Sequence, residues 1–314
     1  MNATATSTAE ATRPAAPTPA SFKSATKPIW CPGCGDYSVL SSVTKAFASL
    51  GLAPEEVVVV SGIGCSSRIP AYTSCYGFHG VHGRALAAAT GVKLARPELT
   101  VLVAGGDGDG YSIGGNHFLH ACRRNVDLTY IVMDNHVYGM TKGQPSPTTE
   151  PDWDSKLAPG GTGVRAFHPL VIALASGANF VARAFSGDPN GTADIIAQAI
   201  RHPGFSFVEI LSPCVTFRPE QRTWKELVHP ASVAVTDDPA RAARRVMTDD
   251  GFNIGVLYAG KRTPYPAARR ADPVPAADLD AEFAAGAAHA PASPPAGPGR
   301  PRCAPARSPI RWPG

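Results

Sequence analysis

Two carboxylates inside a glycine loop, Gly105-Gly106-Asp107-Gly108-Asp109-Gly110, are the first residues of this 314-residue chain whose types suggest chemistry. Glycines let a backbone come close to a phosphate, and the start of a following helix favours an anion. The spacing is not that of a dinucleotide-binding loop: counting from Gly108, the place of the third glycine is Ile113. Asp107 and Asp109 would repel a diphosphate unless a divalent cation lay between them. Magnesium takes about six oxygens, usually including phosphate oxygens and water. Asn135 follows Asp107 by 28 residues, within Asp134-Asn135-His136-Val137-Tyr138-Gly139. If both stand just beyond neighbouring strands joined by one helix, their side-chain oxygens meet at one point, and the Val137 carbonyl completes the protein's share. The plainer alternative is a glycine-rich turn with Asn135 capping a loop.

Cysteine supplies the second constellation. The seven cysteines, at 31, 34, 65, 75, 122, 214 and 303, make an odd number in a chain without an export signal. Metal or redox chemistry is therefore expected ahead of structural disulfides. Cys31-Pro32-Gly33-Cys34-Gly35 is a Cys-x-x-Cys turn whose proline and glycines allow the backbone to wrap a metal centre. Cys65 in Gly62-Ile63-Gly64-Cys65-Ser66 and Cys214 in Ser212-Pro213-Cys214 each follow an apolar run. Four such thiolates can hold a structural zinc or an iron–sulfur cluster, and softness and ligand number leave both open. A redox disulfide at the Cys-x-x-Cys is a third reading. Cys75 and Cys122 have no glycine or proline setting and read as small apolar fillers, and Cys303 falls in the tail.

Positioning these residues requires strands that end beside one another. Val57–Val60, Thr100–Ala104, Leu128–Met133, Phe180–Phe185 and Ser206–Leu211 read as strands, the first two as fully apolar runs buried on both faces. Gly83–Leu94, Gly115–Arg124, Pro169–Ser176 and Thr192–Arg201 read as helices. Alternation at this spacing predicts an α/β fold, a parallel sheet flanked by helices, with ligands at the carboxyl ends of the strands. The boundaries expected are a disordered leader over 1–29, one domain over 30–230, a C-terminal extension over 231–260 and a mostly disordered tail over 261–314. The leader is Ala, Thr, Ser and Pro at 21 of 29 positions and the tail Ala and Pro at 27 of 54, without periodicity. Within the tail, Asp278–Phe283 is the one stretch able to form a helical turn.

Composition removes several functions. No window approaches about 18 consecutive apolar residues, so no membrane span is expected, and no charged-then-apolar leader marks export. A cytoplasmic location follows as the expectation. The net charge of +4 resides entirely in residues 261–314, which hold eight Lys/Arg against four Asp/Glu. A neutral body with a basic, proline-rich end is a poor nucleic-acid binder.

Gly-Asp-Gly followed some two dozen residues later by Asn resembles the magnesium-diphosphate signature of thiamine diphosphate enzymes. The wider pattern resembles the β subunit of 2-oxoacid:ferredoxin oxidoreductases over residues 28–230. The matching residues are Trp30–Tyr37, Ser61–Ser67, His82-Gly83-Arg84-Ala85, Ala89-Thr90-Gly91, Gly105–Asp109, Arg123–Val126, Tyr138–Gln144 and Pro213-Cys214. The resemblance implies a thiamine diphosphate-binding fold of the diphosphate-domain type and one [4Fe–4S] cluster held by Cys31, Cys34, Cys65 and Cys214, deciding against zinc. It implies Mg2+ on Asp107, Asn135 and the Val137 carbonyl. Thiamine diphosphate would contact Ile63, Gly64, Cys65, Ser66, Thr90, Gly108, Asp109, Gly139 and Met140.

The implied reaction is oxidative decarboxylation of a 2-oxoacid with coenzyme A, yielding acyl-CoA, CO2 and two reduced ferredoxins. Thiamine supplies the carbanion and the protein supplies binding and electrostatics. In the family the glutamate that activates thiamine belongs to the α subunit, so an α2β2 assembly is expected and this chain alone should be inactive. For the substrate, 2-oxoglutarate is expected: Arg68, three residues past Cys65, is a candidate to pair its distal carboxylate. His82 and His79 are candidates for the pocket wall, and Lys142 and Gln144 for meeting substrate or coenzyme A. Pyruvate or broad 2-oxoacid specificity is the alternative. A non-oxidative thiamine decarboxylase or synthase would keep Asp107 and Asn135 but has no need of the cysteines. A purely structural zinc or cluster module would leave the glycine loop unexplained.

Overall fold

Residues 16–231, 234–265 and 281 are described in the computed structural model. Eight strands form one sheet in the order β2-β1-β3-β4-β6-β5-β8-β7. They are β1 (Val57–Ser61), β2 (Tyr76–His79), β3 (Thr100–Gly106), β4 (Leu128–Asp134), β5 (Phe180–Phe185), β6 (Phe205–Leu211), β7 (His229–Pro230) and β8 (Asn253–Ala259). All neighbours run parallel except β5 and β8. The expected α/β architecture holds, and the five anticipated strands occur within two residues of their expected ends.

The continuous apolar runs follow from burial on both faces. Side chains alternate across the sheet, so Val58, Val60, Val101, Val103, Tyr130 and Phe207 pack on one side. There they meet α3 (Ala85–Ala95), α4 (Gly115–Arg124), α5 (Pro169–Ala175) and α8 (Pro239–Thr248). Val57, Val59, Leu102, Ile131, Met133 and Val208 face the other way, onto α1 (Asp36–Ser49) and α6 (Pro189–Arg201). Two short helices, α2 (Ile69–Tyr72) and α7 (Trp224–Leu227), sit in loops.

Register explains why the chemistry gathers at one edge. Ser61 of β1 pairs with Ala104 of β3, Gly106 of β3 with Met133 of β4, and Asp134 of β4 with Leu211 of β6. The segments leaving these four adjacent strands carry Cys65, Asp107, Asn135 and Cys214. That is the carboxyl edge at which open parallel sheets bind ligands.

Three expectations are corrected. Residues 16–29 are not a featureless leader: Pro19–Phe22 form a 3-10 turn, Phe22 is fully buried against Phe47, and Ser24 N–H donates to the Tyr72 carbonyl. One aromatic ring anchored in the core is enough to order a stretch whose composition suggests none. Residues 231–260 are no mere extension, because β8 pairs along β5 and α8 buries Ala242 and Val246. The strand within them gives a weak periodic signal, since β8 is only partly buried. α1 was also not anticipated. The chain divides into two units, Met1–Ala268 and Arg269–Gly314; in the second only Ala281 is described, in helical conformation. Cys303, most of Asp278–Phe283, residues 1–15 of the leader and most of the tail lie outside the described residues. Among the described residues no helix is long and apolar enough to cross a membrane.

Candidate active site

A cavity of about 510 Å³ opens at the carboxyl edge of β1, β3 and β4. Asp107, Asn135 and Val137 line it together, as do Ile63, Gly64, Cys65 and Ser66 from the loop after β1. Gly108 and Asp109 come from the turn after β3, and Gly139 and Met140 from the loop after β4. With His82 and Gln144, thirteen of the residues singled out from sequence therefore share one space.

The acidic floor of this cavity is buried. Asp107 is 3% exposed and Asp134 beneath it has no exposure. Thr148 Oγ1 lies 3.1 Å from Asp107 Oδ2 and 2.7 Å from Asp134 Oδ1, and its single proton can serve only one of them. Burial, then repulsion from Asp107, pushes the Asp134 carboxyl up to about 8, and burial also raises Asp107. Asp134 Oδ2 is left without a partner. His136 Nε2, 3.7 Å from Asp134 Oδ1, offsets part of the charge these two carboxylates would carry, and a cation on the cavity side would offset more. Carboxylate, amide and main-chain carbonyl oxygens are the hard donors that magnesium takes, so the residues present fit that ion. Asn135 Oδ1 accepts the Val137 N–H at 3.1 Å, so the two residues are tied in one tight turn of the cavity wall.

Next to the carboxylates, the glycines give clearance. A Cβ on Gly108 would stand 2.1 Å from Cε1 of Tyr138, whose hydroxyl donates to the Gly108 carbonyl at 3.1 Å. Tyr138 was not among the residues assigned a role from sequence, although its ring walls the cavity. The signal available was a bulky residue directly after Val137 that only glycine can face. Gly106, Met133, Thr141 and Gln144 also line the space.

Asp109 behaves differently from its neighbour. Its Oδ1 accepts from the amides of Ile63 (2.9 Å) and Gly83 (2.7 Å) and meets Nδ1 of His82 at 2.8 Å. One buried carboxylate thus ties the loop after β1 to the turn before α3, and leaves Nε2 of His82 as that ring's free nitrogen at the cavity wall.

The four cysteines converge on the same edge. Gly35 N–H donates to the Pro213 carbonyl, joining the Cys-x-x-Cys turn to the segment of Cys214, and Trp30 Nε1 donates to the Cys65 carbonyl at 2.8 Å. A Cβ on Gly139 would stand 3.5 Å from Cys214 Sγ and 3.8 Å from Cys65 Sγ. The cofactor-side loop therefore lies directly against two of the thiols. Burial, with Asp36 next and then the other thiols, holds Cys34 far above the ordinary thiol range; burial, Asp36 and Cys214 push Cys65 up to about 12. Asp36 is itself buried, with one oxygen on Ser212 Oγ at 2.9 Å and the other unpartnered. Crowded thiols beside a carboxylate resist ionising unless a cationic centre offsets them, which an iron–sulfur cluster does. All six described cysteines are free. Among the described residues no three His, Cys, Asp or Glu side chains are grouped to hold a single metal ion.

Four of the residues singled out from sequence for the pocket stand outside the cavity. Arg68 lies on a helical turn that aims it four residues on, where its Nε donates to Tyr72 Oη at 2.9 Å. Thr90 turns its hydroxyl onto the Leu86 carbonyl of its own helix at 2.7 Å. Lys142 sits in a left-handed conformation, φ 88°, with an exposed side chain. His79 is taken up by the Ser67 carbonyl at 2.7 Å.

Comparison with known proteins adds the rest. Residues 62–210 match the thiamine pyrophosphate enzyme, C-terminal TPP-binding domain family. The 2-oxoglutarate oxidoreductase subunit KorB of Mycobacterium tuberculosis is 50% identical over 188 residues, 60% of this chain and 50% of that one. The 2-oxoglutarate synthase subunit KorB of Archaeoglobus fulgidus is also 50% identical over 188 residues, 60% of this chain and 70% of its own length. The β subunit of 2-oxoacid:ferredoxin oxidoreductase 2 from Aeropyrum pernix is 39% identical over 245 residues, 73% of this chain and 79% of that one. The match thus spans only half of the mycobacterial relative. Among solved structures, a 2-oxoglutarate:ferredoxin oxidoreductase from Magnetococcus marinus, with 2-oxoglutarate, coenzyme A and succinyl-CoA bound, superposes with a TM-score of 0.76. That chain is 39% identical, and the superposition covers 85% of this chain and 91% of the other.

Proposed function

This chain belongs to the β-subunit family of 2-oxoacid:ferredoxin oxidoreductases, and on that premise we propose that it works with an α subunit to oxidise 2-oxoglutarate. In the balanced reaction, 2-oxoglutarate, coenzyme A and two oxidised ferredoxins give succinyl-CoA, CO2, a proton and two reduced ferredoxins. The observation that carries the reading is the shared edge: Asp107, Asn135 and Val137 line the same cavity as Cys65, and Gly139 in its wall rests on the thiols of Cys65 and Cys214.

In this reading Asp107, Asn135 and the Val137 carbonyl hold Mg2+. Ile63, Gly64, Ser66, Gly108, Gly139 and Met140 shape the wall for thiamine diphosphate, and Cys31, Cys34, Cys65 and Cys214 hold a [4Fe–4S] cluster. Bound thiamine supplies the carbanion chemistry at the keto carbon, and the cluster carries electrons away one at a time. The chain's own residues do the rest. Asp109 fixes the loop of Ile63 and the tautomer of His82, whose Nε2 is then presented to substrate. Buried carboxylates concentrate the metal's charge where the diphosphate lies. The only carboxylates among the described lining residues are Asp107 and Asp109, both engaged, which supports an activating glutamate supplied by the α subunit.

The substrate assignment is supported by the names of the KorB relatives and by the ligands of the Magnetococcus structure. Arg68 no longer supports it, since its guanidinium is directed at Tyr72. Relatives named for 2-oxoacids in general favour the broader specificity as the second reading.

The test is to co-express the chain with an α subunit, purify the complex without oxygen, and follow CoA-dependent reduction of a low-potential dye. Activity with 2-oxoglutarate exceeding that with pyruvate, with about four irons per αβ unit for one four-iron cluster, is the expected result. Equal rates with both acids would move the assignment to the broad class. Zinc in place of iron, without bound thiamine diphosphate, would overturn the enzymatic reading.

A further inference from the structure

Gln221 lines no cavity and carries no thiol, yet it joins the two halves of the site. It sits on the 3-10 turn Pro219–Thr223 and is 1% exposed. Its Oε1 accepts the backbone N–H of Cys214 at 2.8 Å, and its Nε2 donates to the backbone carbonyl of Asn135 at 2.8 Å. The amide has one possible orientation, because the reverse would set donor against donor and acceptor against acceptor. A single buried side chain therefore spans from the segment assigned to the cluster to the segment assigned to magnesium.

The surroundings hold that span stiff. Arg218 N–H donates to the Cys214 carbonyl at 2.8 Å and Gln221 N–H to the Arg218 carbonyl at 3.0 Å, so residues 214–221 fold back on themselves. Arg218 Nη1 donates to the carbonyl of His136 at 3.1 Å. Consecutive carbonyls, of Asn135 and His136, are thus drawn to residues 218–221. His136 reverses the chain with a φ of 56°. The next carbonyl, that of Val137, receives no hydrogen bond among the described residues.

We infer that Gln221 is a positioning residue that sets the register between the cluster-bearing segment at Cys214 and the metal-bearing segment at Asn135–Val137. The inference rests on the site reading above and deepens it. A buried group that loses its partner pays its full desolvation cost, so each bond of the amide can be removed with a separate consequence. Gln221→Met fills the same space and removes both bonds. Gln221→Glu keeps an acceptor for Cys214 N–H but takes away the donor to Asn135 and sets an oxygen against its carbonyl.

The experiment uses the anaerobically purified complex of this chain with its α subunit. It reads thiamine diphosphate affinity in the presence of Mg2+ and the electron paramagnetic resonance spectrum of the reduced cluster. Gln221→Met is expected to weaken thiamine diphosphate binding about tenfold, the size of one lost buried hydrogen bond, and to alter the cluster spectrum. Gln221→Glu is expected to weaken binding as much while keeping the wild-type spectrum. Thr223→Val, in the same turn, is expected to change neither. Wild-type affinity and spectrum in both Gln221 variants overturn the inference alone. Should Gln221→Met fail to assemble, Gln221→Glu decides by the same two readouts. A wild-type complex that takes up neither iron nor thiamine diphosphate overturns the site reading and this inference with it.

Discussion

Asp109 lines the cavity, yet its Oδ1 already serves the amides of Ile63 and Gly83 and Nδ1 of His82, all within 2.9 Å. Its neighbour Asp107, two residues away, has a different situation: one threonine hydroxyl, strong burial and a face on the cavity. The sequence pattern Gly-Asp-Gly-Asp treats the two alike, and only the fold separates a ligand from a brace. If Asp109 braces the protein, Asp109→Ala should destabilise the chain in the absence of every cofactor. The buried Gly83 amide would lose its acceptor, as would the partly buried Ile63 amide and His82 ring nitrogen, which costs about 2–4 kcal/mol in all. Denaturant unfolding of the cofactor-free chain measures this. A contact made only with thiamine would leave that stability unchanged. The same distinction shows what sequence spacing can reach. Asp107 and Asn135 were legible because one strand-helix-strand unit fixes their meeting. Thr148 and Gln221 were not, since they arrive from segments 14 and 86 residues from Asp134 and Asn135 and touch them only after folding. Arg68 and Thr90 misled for a local reason: a group four residues away offered each a partner, the Tyr72 hydroxyl for Arg68 and the Leu86 backbone carbonyl for Thr90.

At the scale of elements, the strands read best were those buried on both faces, where apolar runs are unbroken. β8 was missed because most of its residues are only partly buried. Its attachment depends on a polar device that periodicity does not register. Arg183 of β5 pairs in register with Glu209 of β6, and its Nε meets Glu209 Oε2 at 2.7 Å. Its Nη1 reaches Asp249, just before β8, at 3.1 Å, and Asn253 of β8 donates to the same Asp249 oxygen. Burial works against the guanidinium's charge, but the two carboxylates outweigh it and hold the group protonated. All three ionic side chains are nearly out of solvent, so screening is slight. Arg183→Met should therefore cost about 3–5 kcal/mol, the range for stranding a buried charge. Adding Glu209→Met should restore part of that loss, because it removes one of the two stranded carboxylates and leaves Asp249 with the Asn253 amide. Guanidinium unfolding of the two variants checks both statements. A loss below about 1 kcal/mol in the single variant, the size of an exposed pair, would show that the trio does not hold β8 to the sheet.

For the whole molecule, the question is what covers the mouth of the cavity. β2 pairs with β1 alone, leaving its outer edge free. Its Tyr76 and Phe78 are 58% and 50% exposed, and Val81 beyond it is 71% exposed. Exposed strand edges with large apolar side chains are normally protected in a folded protein. This fringe runs on into the site, since Val81 adjoins His82, and Ile63 and Met140 are both exposed and part of the cavity wall. An α subunit seated on this fringe would cover it and bring the glutamate that the proposed reaction needs to the same mouth. Val81→Asp is therefore expected to leave the isolated chain folded and iron-loaded while preventing its co-purification with the α subunit. A carboxylate at this exposed position stays in water, so the fold loses little burial. Light scattering of the purified material, with circular dichroism and iron content on the same samples, separates the two effects. Normal assembly of Val81→Asp would remove this edge from the subunit interface, and loss of the fold in the isolated variant would show that the edge is part of the chain's own core.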